Sequence, residues 1–153
     1  MHQFYEFLEL NKNCSCGKQI KTCKCWNLDL KLDNDTKIKR KVCETLESHK
    51  NIPYFIVSNK VFHEYDSIQN NLFSSLAKTR KSKWYLDSSK YISRYLLLKR
   101  NKNFNLKGIY LVRDPRGVIH SFKKKVQTPK SSLGSIIYYS VINFFAEIVY
   151  RKN

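Results

Sequence analysis

The chain has 153 residues, of which 42% are hydrophobic and 14% aromatic, and its 29 Lys and Arg against 12 Asp and Glu give a formal net charge of +17. This length and apolar content support one folded domain and exclude an intrinsically disordered chain. The positive charge favours polyanionic partners such as nucleotides, nucleic acids, sulfated sugars and anionic membranes.

The N-terminal residues 1–12 predict a short amphipathic helix with apolar positions at Phe4, Phe7 and Leu8. This segment contains acidic residues and lacks a basic start followed by an apolar core, so we expect no signal peptide and a cytoplasmic protein. In such a protein the five cysteines are expected to be thiols or metal ligands and not structural disulfides.

A cysteine-rich loop, residues 14–26, follows this helix. Its cysteines form two Cys-x-Cys pairs separated by six residues: Cys14, Cys16, Cys23 and Cys25. Four thiolates this close together can hold a tetrahedral zinc ion. However, one intervening residue brings the two ligands of a pair closer in sequence than the usual Cys-x-x-Cys. We therefore expect a compact loop that is pinned by Trp26 and assign no metal ligand, with a zinc-held loop as the alternative.

Two longer helices are predicted next. Apolar residues recur at helical spacing over residues 35–50 and again over residues 63–80. Pro53 separates the two, because proline interrupts a helix. The apolar run of residues 54–57 is either a strand or a buried loop.

Residues 83–126 predict a βαβ unit followed by a further helix. Trp84–Leu86 is a short apolar strand, a leucine-rich helix follows, and Ile109–Val112 is a buried strand. A crossover of this kind makes the two strands parallel. Asp114 is a suitable N-cap, and Pro115 a suitable first residue, for the final helix of the unit.

The segment Leu111–Ser121, Leu-Val-Arg-Asp-Pro-Arg-Gly-Val-Ile-His-Ser, resembles the 3′-phosphate-binding motif of PAPS-dependent sulfotransferases. In that motif an Arg at the end of a strand is followed eight residues later by a Ser on the helix, as Arg113 and Ser121 are here. The resemblance implies that both residues bind the 3′-phosphate of PAPS (3′-phosphoadenosine 5′-phosphosulfate). Arg offers a planar fork of donors to a phosphate, and Ser adds a hydroxyl.

Two other segments resemble the bacterial-type members of this family. They are the Cys-Ser-Cys-Gly-Lys sequence at residues 14–18 and the Asp-Ser-Ser-Lys sequence at residues 87–90. The resemblance implies an α/β fold, a three-layer P-loop-NTPase-like fragment with a small parallel sheet flanked by helices. In such a fold Ser89 and Lys90 lie at a strand end, and they are weaker candidates for the site.

The resemblance covers only a middle portion of the family's domain. It implies a single incomplete domain over residues 1–153, without the loop that grips the 5′-phosphosulfate and without the family's C-terminal part. The expected reaction is transfer of a sulfuryl group from PAPS to a hydroxyl-bearing acceptor, with no catalytic residue assigned. We expect either a chain with little activity alone or one for which a partner chain supplies the missing loop.

The last predicted helix, residues 131–151, is strongly apolar. It contains Asn143 and Glu147 and falls short of the about 20 apolar residues that a membrane span needs. We expect a buried helix whose apolar flank favours self-association, and no membrane span.

Two other functions stay open at this point. One is a basic nucleic-acid-binding module with a zinc-held cysteine loop, which the charge favours but which no nucleic-acid-binding motif supports, so we expect no specific nucleic-acid partner. The other is a small membrane-associated protein that uses the last helix.

Overall fold

The computed structural model describes residues 2–24, 26, 35–79, 82–123 and 131–152, which form seven α-helices and one 3-10 helix. The α-helices are α1 (His2–Glu9), α2 (Asp35–Glu47), α3 (Ile52–Val57), α4 (His63–Thr79), α5 (Ile92–Arg100), α6 (Pro115–Lys123) and α7 (Ser132–Arg151). The 3-10 helix is His49–Asn51. The β-structure in this part of the chain is an isolated bridge between Asn13 and Gln19.

The predicted helices are confirmed, and side-chain caps mark the starts of two of them, α6 and α7. Asp114 Oδ1 accepts a hydrogen bond from the backbone N–H of Arg116 at 2.8 Å, and Pro115 takes the first position of α6. Ser131 Oγ accepts from the backbone N–H of Gly134 at 3.1 Å and so begins α7. Residues 54–57, for which a strand and a buried loop were the alternatives, belong to the helix α3.

The predicted α/β fold, with its three P-loop-like layers and small parallel sheet, is wrong for the residues that the structure describes. The two segments predicted as strands, Trp84–Leu86 and Ile109–Val112, pair with no described segment. Leu86 is 90% exposed and Ile109 is 78% exposed. An apolar run supplies β propensity, but a strand exists only through hydrogen bonds to a neighbouring strand, and the run itself does not encode that neighbour.

The hydrophobic core lies where α1, α2, α4 and α5 meet, and α3 closes it at one end. Most of its buried members come from these helices: Tyr5, Leu8, Cys43, Phe55, Tyr65, Ile68, Leu96, Leu97 and Leu98. Ile20 of the cysteine loop and Val149 near the C-terminus complete it. Arg100, at the end of α5, donates to the backbone carbonyls of Phe55 and Ser58 at the end of α3. A cation suits the negative end of a helix, so this contact fixes α3 against α5.

A buried polar network crosses this core and is centred on Arg94 in α5. Arg94 Nη1 donates to Glu47 Oε1 at 2.7 Å and to Gln69 Oε1 at 3.0 Å. Tyr65 donates its hydroxyl to Glu47 Oε1 at 2.9 Å. The network therefore ties α5 to α2 and α4 through atoms that water does not reach.

The helix α7 is confirmed, but the expectation that it is buried is wrong within this chain. Its buried residues are Ser135 and Val149, and it packs on α6 and α3. Large apolar side chains along it are exposed: Leu133, Ile136, Ile137, Val141, Phe144 and Tyr150. Among the described helices α7 alone is long and apolar enough to cross a membrane, which is weak evidence because core helices of soluble proteins meet the same criterion.

Candidate functional site

The structure brings Arg113 and Ser121 to one face of α6. Gly117 and Ser121 are spaced four residues apart in α6, which places them on one side of the helix, and Arg113 lies two residues before the helix begins. A Cβ atom built on Gly117 would lie 3.9 Å from Arg113 Nε, so the Arg113 side chain lies against the first turn of α6. We call these three residues the α6 face. Arg113 and Ser121 are both exposed on it.

Contacts with α7 hold the backbone that leads into this face. The Tyr139 hydroxyl donates to the Arg113 carbonyl oxygen at 2.7 Å. Three residues before Arg113, the Tyr110 hydroxyl donates to Asn143 Oδ1 at 3.1 Å. The backbone over residues 110–113 is thus attached to α7 at two points, while the Arg113 side chain is exposed to solvent.

The two arginines beside the helix start have different electrostatic roles. Arg116 Nη2 lies 3.1 Å from Asp114 Oδ2, and hydrogen bonds from Arg116 hold the pKa of Asp114 below its ordinary value. Arg113 forms no ion pair with any residue that the structure describes. Its charge adds to the positive end of the α6 dipole, so the α6 face presents positive potential to an anion.

The weaker candidates Ser89 and Lys90 are exposed in the segment that leads into α5. Asp87 anchors this segment, because its Oδ1 accepts from the Ser89 backbone N–H at 2.9 Å and its Oδ2 accepts from Arg94 Nε at 2.7 Å. No hydrogen bond or ion pair of the described residues joins Ser89 or Lys90 to the α6 face. The structure therefore does not assemble all the predicted positions into one contiguous site.

Sequence reasoning missed Arg94 and its buried partners. The available signal was an arginine inside the leucine-rich helix α5, since a charged residue among apolar ones is rarely buried without a partner. The identity of that partner, Glu47, is not encoded near Arg94 in the chain. The network belongs to the core and is separate from the α6 face.

The expectation of a compact cysteine loop pinned by Trp26 is confirmed. The Trp26 backbone N–H donates to the Cys23 carbonyl at 2.8 Å, and the Trp26 and Phe4 ring centroids are 4.9 Å apart. The backbone N–H of Cys16 lowers the pKa of Cys14 to about 7, against some opposing effect of burial. The fourth cysteine of the predicted pattern, Cys25, lies outside the described residues.

The α6 face has the chemistry of a phosphate site, with one guanidinium, one hydroxyl and a helix N-terminus on the same side. Asp114 is the acid nearest to it in sequence, and Arg116 compensates its charge. Comparison of the chain with protein-family models, with curated proteins and with solved structures gives no match.

Proposed function

We propose that this chain binds 3′-phosphoadenosine nucleotides through the α6 face and serves the donor side of sulfuryl transfer from PAPS to a hydroxyl acceptor. One observation carries the proposal: Arg113 lies against the first turn of α6 at Gly117, and Ser121 follows one turn later on the same side. The resemblance of residues 111–121 to the 3′-phosphate motif supports the same assignment for both residues.

The chemistry of the α6 face suits a phosphate group. Arg113 supplies N–H donors in a planar fork, and the Ser121 hydroxyl supplies another. Gly117 lies between them on the same side of the helix. A hydrogen bond to a charged group contributes about 1.5–3 kcal/mol, and tenfold in affinity corresponds to about 1.4 kcal/mol.

The α6 face contributes to transfer by positioning the donor. In the reaction the acceptor oxygen attacks sulfur, the bond from sulfur to the phosphate oxygen breaks, and adenosine 3′,5′-bisphosphate leaves. The acceptor's proton passes to a base. The 3′-phosphate is remote from the sulfur, so Arg113 and Ser121 orient the nucleotide and are not assigned as base or as the cation at the bridging oxygen.

Calorimetric titration with adenosine 3′,5′-bisphosphate, alongside adenosine 5′-monophosphate, tests the proposal. We expect the bisphosphate to bind more tightly. Arg113→Ala should weaken its binding by about 10- to 100-fold and Ser121→Ala by about two- to tenfold, since a charged donor contributes more than a neutral one.

Arg116→Ala is the matched control. It removes the same positive charge three residues away, and the Arg116 side chain is already paired with Asp114. We expect it to lower bisphosphate affinity less than Arg113→Ala does, because it uncovers the charge of Asp114 but removes no group that binds the phosphate. Equal binding of the two nucleotides, or equal losses in Arg113→Ala and Arg116→Ala, would show that general positive charge and not the α6 face binds the ligand. Tight, salt-sensitive binding of long nucleic acid without preference for the bisphosphate would instead favour the nucleic-acid-binding alternative.

A further inference from the structure

The cysteine loop brings three thiols together far from the α6 face in sequence. The sulfur atoms of Cys14, Cys16 and Cys23 all lie within 4.8 Å of one another, and those of Cys16 and Cys23 are 3.2 Å apart. Two thiolates on a tetrahedral zinc ion lie about 3.8 Å apart, from a Zn–S distance of about 2.3 Å. The Cys16–Cys23 separation is shorter than this value and the other separations are at most 4.8 Å, so small side-chain rotations bring all three sulfur atoms to a common centre.

A tight backbone turn holds the first two of these cysteines. The Cys14 N–H donates to the Lys18 carbonyl at 2.8 Å, and the Gly17 N–H donates to the Cys14 carbonyl at 2.9 Å. Gly17, directly after Cys16, has a φ of +83°, which favours glycine because side chains with a Cβ are strained there. This glycine reverses the chain within one residue of Cys16 and turns both thiols to the same side.

The third cysteine, Cys23, is held by burial and by the segment that precedes it. Cys23 is 1% exposed and Ile20, just before it, is 3% exposed. The Ile20 N–H donates back to the Lys12 carbonyl at 3.0 Å. Residues 20–23, the return segment, are therefore attached both to the start of the loop and to the core. This attachment restricts the position of Cys23 beside the turn.

The residues near these cysteines in the sequence favour thiolates and offer no carboxylate ligand. The loop contains Lys18, Lys21 and Lys24, whose positive charge offsets that of thiolates. No acidic residue stands between Glu9 and Asp29 in the sequence. A donor set made of sulfur atoms alone selects soft or borderline ions such as Zn²⁺ over Mg²⁺ and Ca²⁺.

We propose that Cys14, Cys16 and Cys23 bind a structural zinc ion that cross-links the turn at Gly17 to the return segment at Cys23. A tetrahedral ion takes a fourth ligand in addition to these three thiolates. The zinc ion stabilises the loop that packs against α1 through Trp26 and Phe4. It is independent of nucleotide binding at the α6 face.

The test uses the full chain, reduced, freed of metal and kept under argon. Titration with Co²⁺ should produce a sulfur-to-cobalt charge-transfer band and the intense visible bands of a tetrahedral site. Zn²⁺ should then displace Co²⁺ at about one ion per chain. Zinc loading should protect the accessible thiols of Cys14 and Cys16 from alkylation, as mapped by mass spectrometry, and should raise the thermal midpoint of unfolding.

Cys16→Ser is the decisive variant, because Cys16 is exposed and its substitution does not disturb the core. We expect it to weaken zinc affinity by about 100-fold or more, beyond the effect of changing an outer-shell residue. Cys43→Ala removes a thiol from the core instead and should leave zinc affinity unchanged. Binding of zinc with equal affinity by Cys16→Ser and the parent chain would overturn the assignment, as would absence of the tetrahedral cobalt spectrum in the parent.

Discussion

Arg94 and Glu47 form an ion pair with 2.7 Å between Nη1 and Oε1, and each side chain is 1% exposed. They lie 47 residues apart in the chain, on α5 and α2. Burial raises the pKa of Glu47, but the surrounding positive charges and hydrogen bonds, those of Arg94 included, together outweigh burial and hold the pKa below its ordinary value. The pair is therefore charged in the folded protein and connects the two helices at the centre of the core.

Removing Arg94 should be strongly destabilising. Arg94→Ala leaves Glu47 buried without its main counter-charge, and breaking a buried pair in this way costs about 3–5 kcal/mol. Urea unfolding followed by circular dichroism measures the loss. Arg151→Ala is the control, because its pair with Glu147 is exposed and is worth at most about 1 kcal/mol. Similar losses of unfolding free energy in the two variants would mean that the buried network contributes no more stability than an exposed ion pair.

The same network should make the protein acid-sensitive. At Asp87 burial raises the pKa, but the charge and hydrogen bond of Arg94 together with hydrogen bonds from Ser89 hold it below the ordinary value, and the pKa of Glu47 is lowered as well. A depressed folded-state pKa contributes stability that is present above the unfolded pKa, about 4 for these carboxyls, and is lost as pH falls through the folded value. We expect the free energy of unfolding to fall as pH is lowered below about 4.5.

Glu47→Gln isolates the contribution of Glu47 to this acid sensitivity. The variant should be less stable than the parent at neutral pH, and the difference between them should shrink as the pH is lowered. Glu147→Gln, which alters an exposed carboxyl, should keep the parent's pH dependence. A constant difference between Glu47→Gln and the parent from neutral to acid pH would contradict the expected titration.

Substitutions at Gly117 should separate the stability of α6 from its ligand binding. In Gly117→Ala the new Cβ meets Arg113 Nε at 3.9 Å, an ordinary contact, and alanine favours a helix over glycine by about 1 kcal/mol. We expect a stability gain of up to about 1 kcal/mol with adenosine 3′,5′-bisphosphate binding retained. Thermal unfolding and calorimetry measure the two effects.

Gly117→Asp is the opposing variant at the same position. Its carboxylate would lie beside the Arg113 guanidinium and repel phosphate, so bisphosphate affinity should fall by about tenfold or more. If Gly117→Asp bound the bisphosphate as well as Gly117→Ala does, the phosphate would not sit on the α6 face.

Tyr139→Phe should weaken nucleotide binding without touching the ligand. The variant removes the 2.7 Å hydrogen bond to the Arg113 carbonyl, which fixes the backbone that carries the guanidinium. A neutral hydrogen bond is worth about 0.5–1.5 kcal/mol, so we expect bisphosphate affinity to fall by about two- to tenfold. Tyr138→Phe is the matched control, because the Tyr138 hydroxyl contacts His49 instead. Equal affinities in the two variants would argue against a positioning role for Tyr139.

Local signals predicted most helices and the cysteine loop, because caps and turns depend on neighbours in the chain. Asp114 and Ser131 begin α6 and α7 as their side-chain chemistry predicts. The alignment of Gly117 with Ser121 also follows from helical periodicity alone. These features required no knowledge of distant residues.

Interactions between distant segments could not be predicted in the same way. Trp84–Leu86 was predicted as a short strand and Ile109–Val112 as a buried strand, yet both pair with no described segment and are largely exposed. Nothing in either run specifies whether a strand lies beside it. The partner of Arg94 was equally hidden, since only the packing of α5 against α2 places Glu47 within reach.

The sequence by itself determined where most helices lie, that Gly117 and Ser121 share one side of α6 and which cysteines lie close along the chain, because each depends on bond geometry within a few residues. Only the tertiary structure decided that the described fold is helical, that α7 anchors Arg113 through Tyr139, and that a charged pair is buried in the core. Those outcomes depend on which surfaces meet, and burial and pairing free energies between distant segments outweigh local propensity.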